Sequence, residues 1–360
     1  MMARPARAGF VPPPPANRFP EYPASWYLFG STRELRRGPV TKDLLGRSIV
    51  AFRTQGGRLT VMDARCAHLG ADLGRGRIVG ENIRCPYHGW EYAADGRCVG
   101  LPDGSTPPAF ARQRVYPSVE RHGFVFFFNA ARCASRLNEA QPLFPLPFFF
   151  DEWPEECVAG RPFRFVADCP WYLMAANGFD LEHFRSVHDR TLVAQPEVDC
   201  PASFARRMSY TAEVTGDSVF DRLLRRFAGR VVHVTITSWG GPYILVTGTF
   251  ARARSLMIIA LQPRPEGQTL AEVIVLARRS RFAAARLLQP LGLWVRRLFT
   301  QGFMRDDTDR LGGIRYSPHT LIPADRLMIE FFDWLADLPQ EPSELATVGR
   351  PFHRDVGQPV

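Results

Sequence analysis

The sequence has almost no lysine, no long apolar run and no dinucleotide-binding fingerprint. Lys42 is the one lysine among 45 basic residues, and the net charge is +9. Although the chain is basic, it has no dense basic run and no nucleic-acid-binding motif, so we expect no nucleic-acid partner. It contains no stretch of about eighteen apolar residues, so no integral membrane segment is expected. No Gly-x-Gly-x-x-Gly follows a predicted strand, which argues against a nicotinamide- or flavin-binding module in this chain.

The chain also lacks the features of a secreted protein. Its first residues contain no apolar segment typical of a signal peptide, so a cytoplasmic location is expected. The seven cysteines are odd in number and show no paired spacing, which favours metal ligation or free thiols over a disulfide framework. Five of them have no partner at metal-ligand spacing and are expected to be small buried side chains: Cys98, Cys133, Cys157, Cys169 and Cys200.

Composition divides the chain into four parts. Residues 1–24 are rich in proline and are predicted to form a disordered tail. Residues 25–135 contain short β-rich runs separated by glycine, which is typical of a small all-β domain. Residues 136–345 are predicted to form a larger domain, and residues 346–360 a C-terminal tail.

The larger domain is predicted to combine helices with longer strands. A helix is predicted over 171–188, and five strands are predicted between 204 and 278. Two further helices are predicted at about 281–311, with an interruption near Pro290, and at about 324–337. An antiparallel sheet with helices on one side is an α+β architecture.

The most specific motif is Cys66-x-His68, followed after sixteen residues by Cys85-Pro-Tyr-His88-Gly-Trp. Two thiolates that bind one iron and two imidazoles that bind the other are the ligands of a Rieske-type two-iron cluster. Gly70 and Gly89 fit loops in which the backbone approaches the cluster closely. Zinc is the chemical alternative for two cysteines and two histidines, but zinc sites usually pair cysteine with cysteine and histidine with histidine.

A second group of possible metal ligands contains Asp180, His183 and His188. Asp180 and His183 are three residues apart and would share a helix face. His183 and His188 are five apart, about 140° around a regular helix, so they reach one metal ion only if the helix ends near Ser186 or contains a bulge. Two histidines and a carboxylate form the facial triad of non-heme iron(II) oxygenases, which leaves coordination positions open. Two ordinary helical histidines are the alternative.

The carboxylate ligand is expected later in the chain. The best cluster follows a helical pattern and contains Asp306, Asp307 and Asp309. Each of the three is a candidate, and the other two would then be solvated or helix-capping residues.

Together these motifs resemble those of the Rieske non-heme iron oxygenases. The resemblance extends from about Trp26 to Trp334, and segments such as SWYLFGSTREL and VMDARCAHLGADL resemble the aminopyrrolnitrin oxygenase and 3-ketosteroid 9α-hydroxylase branch. It implies an N-terminal all-β Rieske [2Fe–2S] domain joined to a helix-grip (START-like) catalytic domain. In such a domain a curved antiparallel sheet encloses an apolar pocket.

The resemblance also implies a role for each motif residue. Cys66 and Cys85 would bind one cluster iron, and His68 and His88 the other. His183 and His188 would bind a mononuclear iron. The family's late motif places a tyrosine nine residues after the carboxylate ligand. Tyr316 lies nine residues after Asp307, which implies Asp307 as that ligand. Leu311 stands where the family usually has tryptophan, so Asp306 remains an alternative.

Asp180 resembles the family's bridging carboxylate. In that role it would connect His88 of one subunit with His183 of the next and carry electrons between the two metal sites. A carboxylate that orients a ligand imidazole is common around metal sites. Asn177, one helical turn earlier, would support the site or, equally, act as a helix N-cap.

The implied activity is that of a terminal oxygenase that uses two electrons and O₂ to oxidise an apolar aromatic or polycyclic molecule at a mononuclear iron(II), with monooxygenation as the expected reaction. Arylamine N-oxygenation, desaturation and oxidative cyclisation are alternatives. Electrons would come from NAD(P)H through a separate flavin reductase or ferredoxin, and the family implies a homotrimer. A Rieske electron carrier and an apolar-ligand carrier are alternatives from other classes. The Arg-containing apolar helix at 281–303 is expected to lie in the core, with a membrane surface as the alternative.

Overall fold

The computed structural model describes residues 12–129, 131–132 and 141–338, apart from the side chains at 131, 132, 306 and 309. Cys133, the predicted domain boundary at 135/136 and the predicted C-terminal tail at 346–360 lie outside the described residues. The described chain is an α+β fold with an all-β first part and a second part that combines one large sheet with helices, as predicted.

The first part contains eleven short strands. They are β1 Trp26–Ser31, β2 Val40–Leu44, β3 Arg47–Arg53, β4 Leu59–Asp63, β5 Arg77–Val79, β6 Asn82–Arg84, β7 Glu91–Ala93, β8 Cys98–Gly100, β9 Val115–Tyr116, β10 Ser118–Arg121 and β11 Phe124–Phe128. They form three antiparallel sheets, with the orders β1-β11-β10, β2-β3-β4-β9 and β5-β6-β7-β8. The loop with the first Cys-His motif lies between β4 of the second sheet and β5 of the third, and the loop with the second motif joins β6 to β7.

The second part is built on one antiparallel sheet. After the short pair β12 Ala131–Arg132 and β13 Gln141–Pro142, its strands are β14 Cys157–Ala159, β15 Phe163–Ala167, β16 Arg190–Leu192, β17 Glu197–Ala202, β18 Ala205–Val214, β19 Val231–Trp239, β20 Tyr243–Phe250, β21 Arg254–Arg264 and β22 Gln268–Arg278. Their spatial order is β14-β22-β21-β20-β19-β18-β16, with β15 also beside β22 and β17 beside β18. The five strands predicted between 204 and 278 are therefore confirmed.

Five α-helices accompany the sheet in the described part of the chain. They are α1 Trp171–Ala176, α2 Leu181–Ser186, α3 Val219–Phe227, α4 Ala283–Leu311 and α5 Arg326–Ala336. Among the described residues, no helix is both long and apolar enough to cross a bilayer. Helix α3 was not predicted; Ser218, whose hydroxyl accepts the Asp221 N–H, caps its start.

The prediction of one helix over 171–188 is wrong, because Asp180 is extended (φ −98°, ψ 104°) and separates α1 from α2. An aspartate in this conformation caps a new helix instead of continuing the old one. The predicted interruption near Pro290 is also wrong, because α4 continues through it. A proline removes one backbone hydrogen bond, but the buried Leu293 and Met304 still hold the following turns against the fold.

The central strands of the sheet are covered on both faces. Ile244 of β20 points into the core formed with α1 and α5, whereas its neighbour Leu245 packs against the first part of the chain. On that second face, Trp26 and Phe126 contact residues of β20–β22. Because successive strand residues face opposite sides, strands covered on both sides are almost uniformly hydrophobic. The hydrophobic residues on this second face hold the all-β part of the chain against the large sheet.

The prediction of a disordered tail over 1–24 is wrong for its described residues. Phe19 is buried and stacks on Tyr172 with ring centroids 4.3 Å apart. The carbonyl of Pro14 accepts a hydrogen bond from the Tyr316 hydroxyl (2.6 Å), and that of Pro20 accepts one from the Trp171 indole (3.0 Å). Prolines lack the N–H of regular structure, but their carbonyls remain free to bind side-chain donors.

The burial predicted for five cysteines holds for Cys157 and Cys169 but not for all. Cys98 is only partly buried, and Cys200 is exposed. Cys200 lies on β17, beside an irregularity between Asp199 and Ala202 in the pairing with β18. A strand at the margin of a sheet leaves one set of side chains in solvent, which explains the exposure.

Candidate metal centres

Two loops of equal form carry the Cys-His motifs. The Cys66 N–H donates to the Ala71 carbonyl (2.9 Å), and the Cys85 N–H donates to the Trp90 carbonyl (2.8 Å). Each loop thus closes five residues after its cysteine. Gly70 (φ +74°) and Gly89 (φ +68°) occupy the same place in the two loops. Both have left-handed backbone, which explains why glycine stands there.

The four predicted cluster ligands lie together at the tips of these loops. The Cys66 and Cys85 thiols are buried, whereas His68 is exposed and His88 partly exposed. The two imidazole centroids are 4.7 Å apart, and His68 stacks on Trp90 at 4.6 Å with nearly parallel planes. The thiol end of the site therefore faces the interior, and the imidazole end faces the surface.

The spread of these side chains fits a two-iron cluster better than a single zinc ion. With bonds of about 2.0–2.3 Å, a mononuclear site would bring its ligand atoms to within about 4 Å of one another. Of the His, Cys, Asp and Glu side chains that the structure describes, one group alone brings three ligand atoms within 4.8 Å of one another, and it lies elsewhere. Two buried thiols beside two surface imidazoles suit a cluster in which each pair binds its own iron.

Tyr92 is a neighbour of this site that the sequence reasoning missed. Its hydroxyl lies 3.1 Å from Cys66 Sγ and accepts the Ala67 N–H at 3.2 Å. The hydroxyl hydrogen is therefore free to point at the sulfur. Burial raises the pKa of the Cys66 thiol, and the hydrogen bond from Tyr92 opposes that rise by stabilising the thiolate. The sequence feature that points to Tyr92 is its position two residues after Trp90 of the motif.

The second centre brings together His183, His188 and Asp307. Asp307 Oδ1 lies 2.7 Å from His183 Nε2 and 2.9 Å from His188 Nε2, and the two Nε2 atoms are 3.2 Å apart. Ligand atoms at right angles around a metal, with bonds of about 2.1 Å, would be about 3 Å apart. The three separations therefore fit one face of an octahedron. This is the group whose ligand atoms all lie within 4.8 Å of one another.

Local structure explains how His183 and His188 meet. Helix α2 ends at Ser186, which is the first of the two predicted alternatives, and Asp189 adopts a left-handed conformation (φ +50°) that turns the chain back. The His188 ring stacks on Phe303 at 3.7 Å. Phe303 lies one turn before Asp307 on α4, so the same helix supplies the carboxylate and supports an imidazole.

The environment of Asp307 favours an ionised carboxylate. The side chain is 3% exposed. Burial alone would raise its pKa, but the hydrogen bonds from His183 and His188 outweigh burial and lower it. A buried carboxylate beside two imidazoles suits a cation, which an iron(II) ion would supply. The side chain of the alternative ligand, Asp306, lies outside the described residues.

Asn177 lies within the metal site, and Asp180 lies at the start of α2. Asn177 lies at the C-terminal end of α1, so the N-cap alternative is wrong. Its Nδ2 lies 2.9 Å from His183 Nε2 and 3.3 Å from Asp307 Oδ1, within the metal site. Asp180 instead caps α2, and its Oδ1 accepts the His183 N–H at 3.1 Å. Within the described part of one chain, no hydrogen bond joins Asp180 to His88.

A large apolar cavity of about 1400 Å³ extends from the His183–His188–Asp307 centre. It lies between the large sheet, α3 and α4. Its lining is mainly aliphatic and aromatic, for example Val232, Ile236, Met257, Phe299 and Leu311. Such a cavity beside a metal site can hold a sizeable apolar molecule with few polar contacts.

Arg190 connects this cavity with the metal site and was also missed from sequence. It is buried, donates to the His188 carbonyl (2.6 Å) and binds the Asp221 carboxylate on α3 (2.9 Å). Because one arginine bridges both, the position of α3 is coupled to the backbone of a metal-binding residue.

Comparisons with known proteins agree with this geometry. A family model of the Rieske [2Fe-2S] domain matches residues 25–117. The probable 3-ketosteroid-9-alpha-monooxygenase oxygenase component of Rhodococcus rhodochrous is 31% identical over 46% of this chain and 41% of its own. The aminopyrrolnitrin oxygenase PrnD of Pseudomonas fluorescens is 38% identical over 34% of each chain. The cholesterol 7-desaturase nvd of Drosophila melanogaster is 29% identical over 48% of this chain and 40% of its own.

Solved structures extend the likeness to the whole fold. NdmA of Pseudomonas putida CBB5 has a TM-score of 0.62 at 20% identity and covers 87% of this chain and 89% of its own. Dicamba monooxygenase bound to 3,6-dichlorosalicylic acid has a TM-score of 0.60 at 20% identity, with 88% and 97% covered. By sequence, the chain spans about two fifths of the length of the first curated relatives.

The resemblance to the Rieske non-heme iron oxygenases is thereby confirmed. The chain has a Rieske [2Fe–2S] domain followed by the helix-and-sheet fold of these oxygenases. Its residues fit both of the cofactors that such a fold carries, a Rieske cluster and a mononuclear iron.

Proposed function

We propose that the protein is the terminal oxygenase of a Rieske system and that it oxidises an apolar aromatic or polycyclic molecule, by monooxygenation in the first instance. The observation that carries the proposal is the apolar cavity of about 1400 Å³ that reaches the His183–His188–Asp307 centre. An electron carrier needs neither a second metal site nor a cavity, and an apolar-ligand carrier needs no ligand triad.

The reaction balances with one oxygen molecule and two electrons. A substrate C–H bond, O₂, two electrons and two protons give C–OH and water. When bound, the mononuclear iron supplies dioxygen activation and the cluster supplies one stored electron. The chain itself would supply three ligand atoms on one face of the metal, which leaves the face towards the cavity open. The apolar lining of the cavity excludes water from the substrate.

We assign the ligands within this proposal. Cys66, Cys85, His68 and His88 hold the cluster, and His183, His188 and Asp307 hold the iron. Asn177 supports the iron site through its contacts with His183 and Asp307.

Electron transfer in the proposal passes between subunits. The imidazole end of the cluster site faces solvent, so a partner can approach it. In a homotrimer, His88 of one subunit would contact Asp180 of the next, and Asp180 binds the backbone of His183. Electrons would reach the cluster from NAD(P)H through a separate flavin reductase or ferredoxin.

The substrate class follows from the cavity and the relatives. The names of the relatives refer to a 3-ketosteroid, cholesterol and aminopyrrolnitrin, all ring compounds. The cavity lies above the roughly 300–1,000 Å³ of ordinary ligand pockets, which suits a fused-ring substrate. Most of its lining is aliphatic or aromatic, so shape would contribute strongly to the selection of the ligand.

Low-temperature EPR of the anaerobically reduced holoprotein treated with nitric oxide tests the proposal. We expect a Rieske signal and a high-spin iron–nitrosyl signal, and steroidal or aromatic ligands should shift only the nitrosyl signal. Three irons per chain support the oxygenase. Two irons with a Rieske signal and no nitrosyl signal would identify an electron carrier, and no iron would identify a ligand carrier.

A further inference from the structure

The first half of α4 presents an apolar face to solvent. Leu287 is 83% exposed, Leu288 67%, Leu291 57% and Trp294 53%. These residues are spaced at i, i+1, i+4 and i+7, which places them on one side of the helix. The sequence-based expectation of a core helix over 281–303 is therefore wrong for this half, in which Leu293 is the buried apolar residue. A water-exposed apolar stripe of this size needs a partner.

Helix α3 continues this surface. Val219 is 61% exposed, Phe220 50% and Phe227 69%. Phe220 contacts Phe299 of α4 in an edge-to-face arrangement, with ring centroids 5.5 Å apart. The two helices therefore form one apolar surface, which we call the α3–α4 face.

The α3–α4 face surrounds the mouth of the cavity. Leu223 and Phe227 of α3 and Leu288 and Leu291 of α4 line the cavity and are also exposed. A residue that both lines a cavity and contacts solvent marks a place where the cavity opens. A molecule that enters between the two helices comes into the same cavity that the metal centre lines.

The charge of this region is mainly positive. Residues 279–304 contain five arginines and no acidic residue. On α3, Arg222 and Arg226 are exposed, and the one acidic residue, Asp221, is held by Arg190. Apolar side chains flanked by arginines match the acyl boundary and the phosphates of an anionic bilayer. A second protein copy would bring the same positive charge against this face and be repelled.

We propose that the α3–α4 face lies on the surface of an anionic lipid bilayer, from which the apolar substrate enters the cavity. The use of this mouth for substrate rests on the proposed function, whereas membrane binding itself does not. The helices would lie in the plane of the interface with their apolar side chains among the acyl chains. Exposed arginines at the edge of the face would bind lipid phosphates.

Vesicle binding by the full-length holoprotein tests the proposal without an activity assay. The probes are large unilamellar vesicles of phosphatidylcholine alone or with about 30% phosphatidylglycerol. Binding is measured by flotation and by the fluorescence of Trp294, compared with Trp294→Phe. We expect a blue shift and flotation with the anionic vesicles, weaker flotation with neutral vesicles, and a decrease as salt is raised.

The double variant Leu287→Glu/Trp294→Glu, measured by flotation, tests the face itself. Both side chains are exposed and neither lines the cavity, so the fold and the metal sites should stay intact. We expect its affinity for anionic vesicles to fall by more than about 100-fold. Ile322→Glu, an equally polar change at an exposed site outside the face, should bind like the wild type.

Each contrary result has a separate meaning. Wild-type protein that stays unbound, or a double variant that binds as the wild type does, would overturn the proposal. A double variant that instead becomes a smaller oligomer by light scattering would show that a second copy covers the face. If the wild-type protein binds the vesicles but gives no iron–nitrosyl signal, the proposed function is contradicted and the membrane proposal still holds.

Discussion

The two metal centres of this protein are assembled in different ways. The cluster ligands lie between residues 66 and 88, on two loops that close by the same backbone hydrogen bond. The mononuclear centre joins α2 to α4, and Asp307 follows His183 by 124 residues. One site is thus formed by short-range structure within a small domain, and the other needs the complete second domain.

This difference determines what a substitution can do. A substitution in the cluster loops should affect the cluster site alone, because each loop is closed by its own backbone hydrogen bond. A substitution near the mononuclear centre should disturb several elements at once, because its ligands are positioned by Phe303, Arg190 and the start of α2. The following predictions test this contrast, beginning with the largest effect.

Removal of Asp307 should abolish the mononuclear centre alone. We expect Asp307→Ala to lose this iron and all measurable oxidation, more than the roughly 10–100-fold loss that follows removal of an outer-shell group. Iron analysis should fall from three to two per chain, with the Rieske EPR signal unchanged. Thr308→Ala, at the next position, should keep three irons. A full iron complement in Asp307→Ala would instead favour Asp306 as the ligand.

The reverse experiment uses the cluster. We expect Cys85→Ser to lose the Rieske signal and to retain the iron–nitrosyl signal, because the second domain has its own core. Cys98→Ser, a partly buried thiol on the neighbouring strand β8, is the matched control and should keep both signals. If Cys85→Ser also lost the nitrosyl signal, the two centres would not be independent.

Asp180→Asn should separate metal binding from electron transfer. The asparagine oxygen can still accept the His183 N–H, so α2 remains capped and both cofactors should bind. Turnover should nearly vanish if the carboxylate carries electrons between subunits. Single-turnover reduction of the iron, monitored by stopped-flow spectroscopy, locates the block. Full activity in this variant would refute the inter-subunit bridge.

The contrast between the centres also explains how far the sequence could be interpreted. Spacing alone predicted the four cluster ligands, because their geometry is contained in short loops. It also predicted His183 and His188 as ligands of one metal ion, on condition that the helix ends near Ser186 or contains a bulge. It could not choose among Asp306, Asp307 and Asp309 without the family's spacing, since only tertiary packing decides which side of α4 faces the histidines.

Two of the errors have a common physical cause. The expectations for the N-terminal segment and for the first half of α4 rest on local composition. Their actual positions depend on residues distant in sequence, because Phe19 packs on Tyr172 and the first half of α4 borders the mouth of the cavity. Tyr92 and Arg190 went unnoticed because a single polar residue carries no pattern of its own.

Tyr92→Phe tests whether a single hydrogen bond tunes the cluster without affecting its assembly. The variant removes the donor to Cys66 Sγ and keeps the ring in its buried place. We expect the reduction potential to fall by about 60 mV, which corresponds to about 1.4 kcal/mol for one electron. Protein-film voltammetry gives the value, and the exposed Tyr87→Phe should leave it unchanged. An unchanged potential in Tyr92→Phe would mean that the hydroxyl does not donate to the sulfur.

The smallest effect concerns the seam between the two domains, where His122 lies. Its ring packs 5.4 Å from Phe148, and the neighbouring Arg121 donates to the carbonyls of Leu146 and Pro147. Burial, and then the charge of Arg121, lowers the pKa of His122 to about 4. The folded protein therefore keeps this ring neutral at a pH where the unfolded chain, with a pKa near 6.5, takes up a proton.

The sign of the pH dependence follows from that difference. The stability associated with the neutral ring is complete above about pH 6.5 and is lost as the pH falls towards 4, by on the order of 1 kcal/mol once solvent screening is allowed for. His122→Asn removes the titration and suits the positive φ of +54° at this position. Thermal unfolding at pH 7 and pH 4.5 should show a smaller loss of Tm in His122→Asn than in the wild type. If the wild type and His122→Asn lost the same Tm, protonation of His122 would not contribute to acid unfolding.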